Sequence, residues 1–118
     1  MIGNEIYELV KKIFPICRSI TGNGNRQTLR EIQNHIPIAV HEVPTGYQAY
    51  DWKVPQEWNI NSAYVIDPDG KKIIDFEDSN LHVMNYSIPV DEEIDLEDLQ
   101  AHLYSIPENP DAIPYVTS

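Results

Sequence analysis

Apolar residues at Ile6, Leu9, Val10, Ile13 and Phe14 recur at the spacing of one helical face, which predicts an amphipathic helix over about residues 4–14. Pro15 closes it, because the residue before a proline is pushed out of the α region. After an apolar patch and the turn-forming run Thr21-Gly22-Asn23-Gly24, a second helix is predicted from near Asn25, carrying Leu29 and Ile32 to about His35. The period then changes from helical to alternating. Residues 38–44 read as a strand, Thr45-Gly46 as a turn, and residues 63–66 and 72–76 as the two arms of a β-hairpin around Asp67-Pro68-Asp69-Gly70. A further strand is predicted over Leu81–Val90, weakened at its end by Pro89. Asp95 is placed to cap a short helix running through Leu103. Residues 105–115 hold three prolines and no period, and read as loop. The pattern as a whole predicts an α+β chain: a helical first third and a β-rich remainder, with the change near residues 44–50.

Composition narrows what such a chain can do. Apolar residues make up 42% of its 118 residues, enough for a packed core in one ordinary domain. Against 8 Lys and Arg stand 19 Asp and Glu, a formal charge of −11. That balance argues against a nucleic-acid or anionic-membrane surface, where clustered cations are needed. The acids gather in Asp75-Phe76-Glu77-Asp78 and in residues 91–98, which read as solvated faces. One cysteine, Cys17, excludes an internal disulfide framework and fits a reducing compartment. With no leader-like N-terminus and no apolar run of membrane-spanning length, the expected location is the cytoplasm.

Each motif that invites a chemical reading has a plainer one. Gly22-Asn23-Gly24 has Gln27 where a dinucleotide fingerprint needs its third glycine, so it reads as a turn between helices. Asp67-Pro68-Asp69-Gly70 places its glycine fourth, not sixth as a calcium loop requires. His35, His41, His82 and His102 form no metal-ligand spacing. Cys17, set among Phe14, Ile16 and Ile20, reads as an inert packed thiol. Arg18 is a candidate carboxylate clamp, but capping the preceding helix is its plainer role.

The most distinctive run is Asp51-Trp52-Lys53-Val54-Pro55-Gln56-Glu57-Trp58-Asn59-Ile60, which holds both tryptophans of the chain. Two such large apolar faces around a proline make a ledge. Trp52 and Trp58, with Asp51 beside them, either fill a contact between the helical and β parts or line a cleft for a peptide or sugar.

With Phe14-Pro15-Ile16-Cys17-Arg18-Ser19-Ile20-Thr21-Gly22-Asn23-Gly24, Val43-Pro44-Thr45-Gly46, the tryptophan run, Tyr86-Ser87-Ile88-Pro89-Val90 and Pro110-Asp111-Ala112-Ile113-Pro114-Tyr115 in one order, the chain resembles the N-terminal portion of a bacterial family of aminopeptidase-like proteins named for polysaccharide biosynthesis. The resemblance implies a zinc exopeptidase with an α/β core and an inserted β-rich domain. Residues 1–46 would supply the opening helices and first strand of that core, and residues 47–118 most of the inserted domain. In such enzymes zinc held by His, Asp and Glu activates a water that attacks a peptide or amino-acyl substrate. The family's metal-binding and catalytic residues lie beyond the matched region. The resemblance therefore implies no catalytic or metal residue in this chain and no cofactor of its own, zinc belonging to a complete parent protein. It implies a fragment that is inactive alone and prone to self-association through exposed apolar surface. The alternative is a non-enzymatic module that binds a peptide, a glycan or a partner subunit on the Trp52/Trp58 surface.

Overall fold

Helix formation follows the apolar period. In the computed structural model, which describes residues 2–116, α1 spans Ile2–Ile13 and α2 spans Asn23–Gln33. Glu5 in the first turn of α1 and Lys11 and Lys12 in its last turn both complement the helix dipole. Arg18 takes the plainer of its two expected roles: its Nη1 donates 2.7 Å to the carbonyl of Ile13 at the end of α1, which also accepts from Ile16 N–H at 3.2 Å. The same nitrogen reaches Thr28 Oγ1 on α2 at 3.4 Å. Lys12 Nζ lies 2.5 Å from Glu31 Oε2, a second tie between the helices.

The strand expected over residues 38–44 does not form. This segment takes no regular structure, because no neighbouring strand among the described residues pairs with it, and a strand is defined by its ladder. Pairing begins instead after the Thr45-Gly46 turn, where Gly46 N–H donates to Val54 O (2.8 Å) and Val54 N–H to Tyr47 O (2.9 Å). β1 (Gln48–Ala49) and β2 (Trp52–Lys53) continue this antiparallel ladder, with Ala49 opposite Trp52. The turn between them puts Tyr50 at φ 54°, a left-handed conformation, with its side chain wholly exposed.

The second hairpin forms as the sequence predicts. β3 (Tyr64–Ile66) and β4 (Lys72–Asp75) pair antiparallel, with a bulge between the Val65 and Ile66 registers. Asp67 holds the turn: its Oδ1 accepts from the backbone N–H groups of Asp69 (3.0 Å) and Lys71 (2.9 Å). Lys72 binds Asp75 at 2.8 Å and sits 4.4 Å from the Tyr64 ring centroid.

Residues 81–90 also depart from the expected strand. A 3₁₀ turn occupies Asn80–His82, with Ser79 Oγ accepting from Leu81 N–H. Tyr86 then adopts φ 65°, which ends an extended run before Pro89 is reached.

The chain divides into two compact units, Met1–Asn85 and Tyr86–Ser118. In the second, α3 spans only Leu96–Gln100. Asp95 occupies the cap position, but its side chain makes no capping hydrogen bond. The path expected to remain helical through Leu103 tightens after Gln100 into overlapping i→i−3 turns, Ala101 N–H to Asp98 O, His102 to Leu99 and Leu103 to Gln100. The proline-rich segment after it is loop.

This is a small α+β arrangement with short antiparallel sheets. Among the described residues no hydrophobic side chain is fully buried; the most enclosed side chains are the polar Ser19 and Thr28. No helix among them is long and apolar enough to cross a membrane.

The Tyr50 turn carries a test. A non-glycine residue in the left-handed region costs roughly 1–2 kcal/mol. Tyr50→Gly, at an exposed site without packing to lose, is expected to raise the stability of the chain by about 1 kcal/mol, read from urea denaturation midpoints.

Candidate functional site

A concave feature gathers where α2 begins. α2 has no residue of its own that can cap it, because Gly22 at the cap position carries no side chain. The cap comes from far along the chain: Asn59 Oδ1 accepts from Asn23 N–H at 2.8 Å. Thr21 Oγ1 accepts from Trp58 N–H at 3.3 Å and donates to Gln56 O at 3.5 Å, so both sides of the junction are stitched. Ser19 Oγ donates to the Thr21 carbonyl and accepts from Thr21 N–H at 3.2 Å.

This closeness dictates two glycines. Gly22 stands at φ 100°, and a Cβ there would lie 2.5 Å from Trp58 O and 2.8 Å from Asn59 Oδ1. Gly24 sits inside the first turn of α2, where a Cβ would lie 1.8 Å from the Cys17 carbonyl oxygen.

Arg26 closes the outer side. Its guanidinium makes a two-nitrogen pairing with Glu57, donates from Nε to Glu42 Oε1 at 2.8 Å, and donates to Asn23 Oδ1 at 3.1 Å. The hydrogen bonds to Glu57, and then to Glu42, hold the guanidinium well above its ordinary pKa. Reciprocally, the Arg26 hydrogen bond draws the Glu57 carboxyl below its ordinary 4.5. Cys17 shifts the other way. Burial raises its thiol above 9.0, with Arg18 opposing, so the group is a neutral thiol at pH 7. It is half-buried at the cleft and not packed among its sequence neighbours as expected, because Phe14 and Ile20 are exposed.

A cleft of about 460 Å³ opens at this junction, lined in part by Lys12, Cys17, Asn23, Gln27, Trp58 and Asn59. Trp58 is half-buried there. Trp52 sits elsewhere, on β2, 54% exposed, and Asp51 lies in the β1–β2 turn. Among the described residues no group of three or more His, Cys, Asp and Glu side chains is placed to hold a metal ion. His82 Nδ1 instead contacts the Asp75 carbonyl at 2.7 Å, and Glu42, beside His41, pairs with Arg26.

Sequence reasoning missed Arg26, Thr21 and Asn59 as the residues that build this junction. For Asn59 a signal existed: a helix opening on Gly-Asn-Gly lacks a Ser, Thr or Asp cap and must borrow one. Arg26 and Glu57, 31 positions apart, carry no local signal.

Residues 57–118 match the profile of a family described as a domain of unknown function, DUF2172. The chain belongs to that family. A Clostridium acetobutylicum protein provisionally named a polysaccharide biosynthesis protein with an aminopeptidase-like domain is 54% identical over 116 residues. That alignment takes in 98% of this chain and 27% of the relative. A crystal structure from the same organism, provisionally described as a peptidase, superposes with a TM-score of 0.93 at 54% identity, covering 98% of this chain and 28% of its own. The chain thus spans little more than a quarter of the relatives it matches.

Two outcomes are expected from this geometry. Gly22→Ala and Gly24→Ala should each lower stability by about 3 kcal/mol, the upper range for forcing atoms into packed space. Gly3→Ala, where a Cβ would meet nothing within 4 Å, should not destabilise; urea denaturation separates the three. Glu57 supplies the second. Its pKa is lower folded than unfolded, so its contribution is present above the unfolded value and lost as the pH falls through the depressed folded one. The urea midpoint should therefore fall between pH 7 and pH 3, and Glu57→Gln should flatten that fall.

Proposed function

We propose that this chain is the N-terminal part of an aminopeptidase-like zinc hydrolase, and that it does not hydrolyse peptides by itself. The observation that carries the reading is the 54% identity over 98% of the chain to relatives named aminopeptidase-like and peptidase, of which it spans 27% and 28%. On this reading residues 1–46 belong to the α/β peptidase core and residues 47–118 to an inserted domain. The zinc ligands and the general base that act on a peptide or amino-acyl substrate come from the other three quarters of the protein. Exposed apolar positions on α1 and just past its end, with Ile2, Ile6, Val10 and then Phe14 at 50% or more, support a helix that rests on further structure. Left alone, that surface favours self-association. Of the residues expected to share one ledge, Trp52 and Asp51 on the β1–β2 hairpin then serve as an interdomain surface or a wall of the substrate cleft, while Trp58 stands apart from them beside α2. The single cysteine and the acidic balance favour a cytoplasmic protein that binds neither nucleic acid nor a membrane. The link to polysaccharide biosynthesis belongs to the relative's name.

Release of an amino-acyl chromophore tests the reading, measured on the 118-residue chain and on a relative of full length. Zinc-dependent release by the longer protein, abolished by a chelator and absent from this chain, is expected. An inactive longer protein, with zinc supplied, overturns it.

A further inference from the structure

The cleft at the start of α2 is rich in side-chain amides. We propose that it is a binding site for a neutral, hydroxyl-rich ligand, a short glycan by chemical class. Four primary amides line it: Asn23, Gln27, Asn59 and Asn61. Each amide offers donors and an acceptor at one position, which is what a ring bearing several hydroxyls requires. The Asn23 and Asn59 oxygens are occupied by Arg26 and by Asn23 N–H, and their NH₂ groups donate to no side chain or backbone group among the described residues. The side chains of Gln27 and Asn61 make no hydrogen bond among the described residues, and both are exposed. Trp58, half-buried, adds apolar surface of the kind on which sugar rings pack.

The charges decide between ligand classes. No carboxylate lines the cleft, so no opposite charge there would pair with the ammonium of a peptide N-terminus. Its lone cation, Lys12, is already paired with Glu31 at 2.5 Å, so an anionic ligand is not compensated either. The thiol of Cys17 is neutral. The first N–H of α2, which could otherwise meet an anion, is taken by Asn59. At about 460 Å³ the cleft falls within the ~300–1,000 Å³ of small-molecule sites.

The site is independent of the peptidase reading, and its test leaves that reading untouched. The ¹⁵N-labelled chain is titrated with cellobiose, maltotriose and di-N-acetylchitobiose, and in parallel with a tripeptide blocked at both ends. The side-chain NH₂ resonances of Gln27 and Asn61 serve as reporters. Saturable shifts with at least one saccharide and none with the peptide are expected. Gln27→Ala and Asn61→Ala should each weaken binding about fivefold, the worth of one neutral hydrogen bond, with the backbone spectrum otherwise unchanged. Three results overturn the proposal: no shift with any of the saccharides, equal or stronger shifts with the blocked peptide, or saccharide binding that both substitutions leave intact.

Discussion

A helix that cannot cap itself organises the first unit of this chain. α2 opens on Gly22, whose missing side chain leaves the first N–H groups without a local acceptor. The same missing side chain lets Trp58 and Asn59 approach to within the space a Cβ would fill. The defect and its remedy are therefore one feature: the glycine that fails to cap α2 admits the asparagine that does. A capping hydrogen bond of this sort is worth roughly 1 kcal/mol, and here it also fixes where a segment 36 positions away must lie. The Arg26 fork to Glu57 adds direction to that approach, since a planar guanidinium meets a carboxylate in one plane.

Polar ties carry unusual weight because the apolar ones are incomplete. No hydrophobic side chain among the described residues is fully buried, while Ile2, Ile6, Val10 and then Phe14 repeat along α1 and just past its end at 50% exposure or more. Burial of such side chains is worth about 1.5–3 kcal/mol apiece when complete, more than an exposed ion pair supplies. An amphipathic helix with its larger stripe uncovered has its own stabilisation still unrealised. Lys12–Glu31 and Arg18 at the Ile13 carbonyl hold α1 in register with α2, but do not replace a core. The uncovered stripe fits the proposed place of this chain within a protein several times longer.

What the sequence made legible was local. Both helices followed from the recurrence of Leu9, Ile13, Leu29 and Ile32, and the β3–β4 hairpin from Asp67-Pro68-Asp69-Gly70, because each signal acts over one or two turns of chain. The failures share a different character. Residues 38–44 and 81–90 alternate as strands do, yet a strand exists only if a partner lies beside it, and alternation does not say whether one does. Over 81–90 the run is broken twice, by the 3₁₀ turn at Asn80–His82 and by Tyr86 at φ 65°. At the junction the glycines were legible as turn formers, and Arg18 as a helix cap. Arg26 was not, because an arginine on a helix surface looks the same in sequence whether it meets water or a carboxylate 31 positions on.

The tryptophan run changes meaning once these ties are traced. It is a strap with two ends of different function, not one flat ledge. Its first end, Trp52-Lys53, pairs with β1 and is followed by Val54, which exchanges hydrogen bonds with Gly46 and Tyr47 across the same ladder. Its second end, Gln56 to Asn59, bonds the turn before α2 through Thr21 and Asn23. Pro55 stands between them, its carbonyl accepting from Thr45 Oγ1 at 3.1 Å. A proline at that point fixes φ where the strap passes from ladder to helix cap. Trp52 and Trp58 are close in sequence because the strap is short, and they differ in exposure because it joins two elements. Their shared chemistry is therefore no argument for a shared ligand; only Trp58 stands at the cleft.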